Sequence, residues 1–155
     1  MYMHHVPTSP ICACTTLRKA SRALSRIYDE ALLPAGMTVA QLAVLRAIGR
    51  GEGGEPLSRL AESLVMDRTS LYRALAPLKK SGWVAINAGP RGRAKQVELT
   101  VKGERAVQAA RKFWDAAQTT ILGEFGAERW TFLQHAVAEL TALGVKLGGA
   151  ALQRA

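Results

Sequence analysis

Only two cysteines occur in the 155 residues, Cys12 and Cys14, one residue apart near the start. That is too few for a disulfide framework, and it fits a chain kept reduced in the cytoplasm. Long apolar runs are also missing: none approaches the ~20 residues needed to cross a bilayer, so no membrane partner is expected. The opening Met1–Pro10 has neither a basic start nor an apolar stretch, so no secretory signal is visible. No serine or cysteine sits in a nucleophile motif, and neither paired carboxylates nor a His-x-x-x-His spacing is present. The expectation is a protein that is not an enzyme, with no cofactor and no metal. Two histidines, His4 and His5, could join Cys12 and Cys14 around a soft metal ion, but a single Cys-x-Cys pair is weak support for a site.

Acidic residues are the other shortage. Lys and Arg number 21 against 12 Asp and Glu, a net charge of +9. The excess is uneven. Residues 66–105 hold nine cations and three acids, or +6, while residues 1–65 contribute +2 and residues 106–155 contribute +1. A basic patch confined to about a quarter of the chain is the electrostatic footprint of a nucleic-acid binder; the alternative is a merely solvated surface. At its centre stands Ala88-Gly-Pro-Arg-Gly-Arg-Ala-Lys-Gln96, which carries three cations between two strand-like runs, Trp83–Ile86 and Val97–Leu99. Gly and Pro there are turn chemistry. A phosphate-cradling nucleotide loop would end in Gly-Lys-Ser/Thr and open a helix, and this one leads into a strand.

An apolar fraction of 48% and this length suit one compact domain, or a small domain with a dimerisation element. Leu17, Ala20, Leu24, Ile27 and Ala31 make one stripe on a helix over about 12–33, ended by Pro34-Ala-Gly36. Thr38-Val-Ala-Gln41 has the form of a capping box and predicts a helix to about Ile48. A glycine-rich loop, 49–56, precedes a short helix over about 58–64 and a tight turn at Val65-Met66. Asp67 then caps a helix to about Ser81 whose inner face is Leu71, Leu75 and Leu78; Pro77 interrupts it and Gly82 stops it. After the hairpin, Thr100 opens a helix to about Gly123 with Val107, Ala110, Trp114, Ala117 and Ile121 inward. A last helix carries Trp130, Leu133, Val137, Leu140 and Leu147.

Two short consecutive helices, a glycine stop and a hairpin make a winged helix-turn-helix, here over residues 36–99 of a single unit spanning 1–155. The fold class is mainly α with a small β-wing. The flanking helices, 11–35 and 100–150, have apolar stripes too long for so small a core, and a second copy of the chain is their expected partner. Arg68, Thr69, Ser70, Tyr72 and Arg73 fall on or near the outward face of the second short helix. Short polar residues at its N-terminus suit phosphates, and long donors one turn on suit base edges. Arg91, Arg93 and Lys95 form the hairpin tip, which reaches phosphates or the minor groove. Lys79, Lys80, Lys102 and Arg105 read as plain surface charge. The three tryptophans read as core, with Trp114 or Trp130 also able to line a ligand pocket. His135 reads as a surface or interface residue.

The string Asp67-Arg-Thr-Ser-Leu-Tyr-Arg-Ala-Leu-Ala-Pro-Leu-Lys-Lys-Ser-Gly82, with Val97-Glu-Leu-Thr-Val-Lys-Gly103 after the wing, resembles the MarR family of bacterial transcriptional regulators over almost the whole chain. The resemblance implies a homodimer on a palindromic double-stranded operator. It also implies repression, relieved by a small phenolic or lipophilic ligand or by cysteine oxidation. Arg93 matches the wing arginine of the family, and Arg91 stands where an Asp is usual. An acidic effector would enter between the DNA-binding and terminal helices, with Arg18 or Arg22 meeting its carboxylate beside Trp114. Cys14 lies 24 residues before Thr38, a spacing that resembles the reactive cysteine of the organic-hydroperoxide-sensing branch, and Tyr28 falls where that branch keeps a tyrosine. Arg18 and Val39-Ala-Gln-Leu42 replace its other phenols. An effector-free architectural binder would satisfy the same charge patch.

Overall fold

Helix signals written in the sequence recur as formed caps in the computed structural model, which describes residues 11–51, 53–92 and 94–152. Helix α1 spans Ala13–Leu32 and passes through a 3-10 turn, Leu33–Ala35, to Gly36 in the left-handed region (φ 66°). Helix α2, Val39–Ile48, starts in the expected capping box: Thr38 Oγ1 accepts from the Gln41 N–H at 3.2 Å, and Gln41 Oε1 accepts from the Thr38 N–H at 2.9 Å. Helix α3 covers Leu57–Ser63 and α4 covers Arg68–Lys80. The turn between them places Val65 at φ 53°, with the Met66 N–H donating to the Ala61 carbonyl and the Val65 N–H to that of Glu62. This is a Schellman closure built on a β-branched residue, which the left-handed region disfavours.

Pro77 does not end α4. It sits on an exposed face, so the Arg73 carbonyl whose helical bond it removes can meet water. Leu71, Leu75 and Leu78 are essentially inaccessible and join Leu42, Leu45, Ile48 and Leu60 in the core. Each contributes about 2 kcal/mol of apolar burial.

Strands β2 (Val84–Asn87) and β3 (Gln96–Leu99) pair antiparallel, with Val84 opposite Leu99 and Asn87 opposite Gln96. A 3-10 turn at Pro90–Gly92 forms the wing tip. A third strand, β1 (Glu55–Pro56), adds to β3 in the order β1-β3-β2 and was not expected from the sequence. Its proline is tolerated because β1 lies at the sheet edge.

The wing is rooted on α5, Val101–Phe125. The Thr100 N–H donates to the Trp83 carbonyl at 3.0 Å, its hydroxyl donates to the Gly82 carbonyl at 2.6 Å, and its Oγ1 accepts from the Gly103 N–H at 3.0 Å. A side chain at Gly103 would run into the Trp83 carbonyl, so only glycine lets α5 come this close.

Helix α6, Ala127–Leu152, packs against α5. Its apolar stripe is not buried within the chain: Leu133, Val137, Leu140 and Leu147 are all exposed, as are Leu17 and Ile27 of α1. Trp83, Trp114 and Trp130 are half-buried; the first two pack against the core as expected, whereas Trp130 is not part of it, which corrects the sequence reading of that residue. No single described helix is long and apolar enough to cross a membrane.

Candidate nucleic-acid interface

Asp67 fixes the N-terminus of α4. Its Oδ1 accepts from the Ser70 N–H at 2.8 Å, and the Ser70 hydroxyl donates to Oδ2 at 2.7 Å. These two bonds hold the Asp67 carboxyl below the ordinary carboxylate range. They also occupy Ser70, which therefore offers a nucleic acid less than its exposure suggests. Arg68, Thr69 and Arg73 are exposed, while Tyr72 is half-buried with the Arg68 guanidinium 5.8 Å from its ring centroid. Among the described residues the ion pairs are Arg59–Glu55 and Arg111–Asp115, so Arg73 keeps its charge uncommitted there.

The wing returns beside this helix. The Leu57 N–H donates to the Lys95 carbonyl at 3.2 Å, and Lys95, Arg68, Tyr72 and Ser58 line one hollow of about 340 Å³. Three residues selected from the sequence, on two elements, are thus brought together, and Ser58 joins them without having been singled out. Arg91 lies in the wing-tip 3-10 turn, and Arg93 falls outside the described residues.

The carboxylate state of Asp67 has a testable consequence. Its folded pKa is depressed, so the cap's contribution is complete above the unfolded pKa and is lost as pH falls through the lower, folded value. Asn caps comparably without titrating. Any stability advantage of the wild type over Asp67→Asn at neutral pH should therefore disappear in acid, as read by urea denaturation of both proteins at a series of pH values. A difference independent of pH would show that the charge contributes nothing.

A second cluster lies where α1, α2 and α5 meet. The Arg46 guanidinium on α2 sits 4.1 Å from the Trp114 ring centroid, and Trp114 stacks on Tyr28 with centroids 6.2 Å apart. Tyr28 donates to Gln118 Oε1, and burial raises its phenol pKa. Burial likewise lowers the Arg46 pKa, although a guanidinium stays charged. Arg46, Arg50 and Trp114 line a cleft of about 380 Å³ walled by Val39, Leu42, Ala43 and Leu64. Arg18 and Arg22, selected from the sequence for this role, stand exposed on α1 and do not line it. Of the two arginines that do, Arg46 is the one charged residue of α2, and Arg50 lies two residues past its end.

Cys12 is the N-cap of α1 and Cys14 lies in its first turn; both are exposed. The Thr15 hydroxyl and then the backbone N–H groups of that turn lower the Cys12 pKa, though no capping hydrogen bond is formed. Tyr28 is 14 residues beyond Cys14 along the same helix, about 21 Å away, and engages α5 rather than either thiol. Among the described residues no His, Cys, Asp or Glu cluster could hold a metal; His4 and His5 lie outside them, and His135 is exposed.

A capped recognition helix with an exposed cationic face, packed beside a three-stranded basic wing, defines a winged helix-turn-helix. No family model matches the sequence, and no curated protein matches it significantly. Solved structures do. The chain is similar to the M. tuberculosis transcriptional regulator MosR in complex with DNA, with 34% identity over 86% of this chain and 96% of that one and a TM-score of 0.78. It is also similar to MosR crystallised alone, with 35% identity over 86% and 95% and a TM-score of 0.73. An E. coli MarR variant complexed with operator DNA shares the fold at 22% identity over 82% and 91%, with a TM-score of 0.72. The chain belongs to the MarR family of transcriptional regulators, which are not enzymes.

Proposed function

We propose that the protein is a homodimeric, sequence-specific DNA-binding repressor of the cytoplasm that reads a palindromic operator. The observation that carries this reading is the convergence of Arg68, Tyr72 and Lys95 on one hollow between recognition helix and wing. The chain divides into the winged helix-turn-helix, 36–99, and flanking helices, 11–35 and 100–150, that pair with a second copy through the open stripes of α1 and α6. Thr69 and Arg73 extend the DNA-facing surface along α4, and Arg91 and Arg93 extend it at the wing. Footprinting on the DNA upstream of its own gene should give two protected half-sites about one helical turn, ~34 Å, apart. Uniform protection with little sequence preference would instead identify an architectural binder.

The effector of this repressor is a small aromatic or lipophilic acid held in the Trp114 cleft. The arginines Arg46 and Arg50 supply the carboxylate contact in place of Arg18 and Arg22. Phenolic acids titrated against the operator complex should quench or shift tryptophan fluorescence as DNA is released, and Arg46→Gln should blunt both signals. No response across a broad panel would remove the effector from the proposal.

The exposed Cys12–Cys14 pair supports a second reading, thiol-based release through Cys14, with Cys12, whose pKa is lowered, as a second candidate thiol. Operator binding by wild type, Cys12→Ser and Cys14→Ser after organic hydroperoxide treatment separates the cases. Equal retention of DNA by all three would leave the thiols without a regulatory role.

A further inference from the structure

The N-terminus of α2 is held twice, by two different kinds of contact. Thr38 and Gln41 close the local capping box. In addition, Asp29 Oδ1 accepts from the Val39 N–H at 2.6 Å, although Asp29 belongs to the last turn of α1, ten residues back across the 3-10 turn. This bond ties one helix to another rather than finishing a helix. Its neighbour in sequence, Tyr28, donates to Gln118 and stacks on Trp114, so the last turn of α1 is itself fixed to α5. Trp114 then receives Arg46, seven residues beyond Val39 on α2. The two attachments are about 10 Å apart along the helix. One attachment would leave α2 free to pivot; two directional ones fix its axis against the α1/α5 pair. The apolar contacts between the same helices are non-directional and resist sliding less. Helix α2 in turn packs on α4 and β3, so the recognition helix and the wing follow it.

We infer that Asp29 is a positioning residue for operator recognition. By locking α2 to α1 it sets where each recognition helix stands relative to its counterpart, and so sets the half-site spacing the protein accepts, without touching DNA. The inference rests on the two-half-site dimer proposed above. Adding or removing one base pair between half-sites moves them by about 3.4 Å and turns them by about 35°. A rigidly held pair of recognition helices must absorb that by deforming the DNA, whereas a loosely held pair can follow it.

The test measures affinity for a set of operators whose half-sites are moved by one and two base pairs either way. Wild type, Asp29→Ala, Asp29→Asn and Thr38→Ala are compared. Wild type should lose about tenfold at a one-base-pair change. Asp29→Ala should flatten that loss to about threefold or less while keeping its affinity for an isolated half-site. Asp29→Asn retains an acceptor oxygen and should restore the preference. Thr38→Ala removes a cap from the same helix end but leaves the α1–α2 bond, so it should lower the melting temperature and keep the wild-type spacing profile. A sharp optimum retained by Asp29→Ala, or flattened equally by Thr38→Ala, would overturn the inference alone. A wild type indifferent to spacing would remove the two-half-site reading and this inference with it.

Discussion

Leu140→Asp is expected to split the protein into monomers and to abolish operator binding at concentrations where the wild type saturates its site. Leu140 is 41% exposed in the single chain, in the middle of an α6 stripe that runs from Leu133 to Leu147. A stripe of this length facing water is explained by a partner that covers it. In a two-fold interface each substitution is made twice, so losing about 2 kcal/mol of leucine burial per chain amounts to about 4 kcal/mol per dimer, before any cost of desolvating the new carboxylates. That corresponds to about a thousandfold in dimer affinity. Because Leu140 lies outside the core around Leu71 and Leu75, the monomer should keep its helical circular dichroism. Sedimentation velocity decides the matter, and a dimer that survives the substitution would place the interface elsewhere.

Arg73→Ala and Lys95→Ala should both weaken DNA binding, but in different ways. Arg73 is exposed one turn into α4, where a long donor reaches base edges. Losing one such contact costs about 1–3 kcal/mol per half-site, hence about 2–6 kcal/mol per dimer, and should relax preference at one symmetric pair of base positions. Lys95 lies just before β3, at the end of the strand away from Thr100, and lines a hollow with Arg68, where a phosphate contact is expected rather than a base contact. Its removal should weaken all sequences alike and reduce the slope of log affinity against log salt by about 0.9 per lost phosphate contact, twice over in the dimer. Lys79 and Lys80, at the far end of the same helix, should change little when replaced by Ala. Competition binding against a library of single-base operator variants, repeated at several salt concentrations, distinguishes the two patterns. If Arg73→Ala left the base preference intact, the register of α4 in the groove would have to be reassigned.

The parts of this fold that were legible in the sequence are those whose cause is local. Thr38 and Gln41 are three residues apart and cap what they appear to cap, as do Asp67 and Ser70. The Leu71, Leu75 and Leu78 spacing marks the buried side of α4 because helical geometry alone puts those residues together. What was hidden depends on distant partners. Glu55–Pro56 reads as loop, and becomes a strand because β3, some forty residues later, supplies the other half of the ladder. Asp29 looks like a solvent-facing acid of α1 until the chain reverses and delivers the Val39 N–H to it. Arg46 and Trp114 are placed face to face only by the packing of α2 on α5. The same limit explains Arg18 and Arg22: being basic and near the first helix's stripe said nothing about which side of α1 would face the cleft. Trp114, by contrast, lines the cleft because the periodicity of α5 alone turns its indole inward.

The contact at Gly103 has a consequence for how such proteins diversify. Both ends of the wing are anchored through main-chain atoms, at Gly82 and Trp83 on one side and at Thr100 and Gly103 on the other. Only the Thr100 hydroxyl and the bare glycine are specified by side-chain identity. Between the two ends, Val84 and Val97 are buried in the core, so the strands belong to the socket and the exchangeable cassette is the stretch between Asn87 and Gln96. Its tip can change length and charge, as the Gly-Pro-Arg-Gly stretch here illustrates, without disturbing the helices beneath. A regulator built this way can change how firmly it grips DNA by exchanging the tip of one short hairpin while the helices stay as they were.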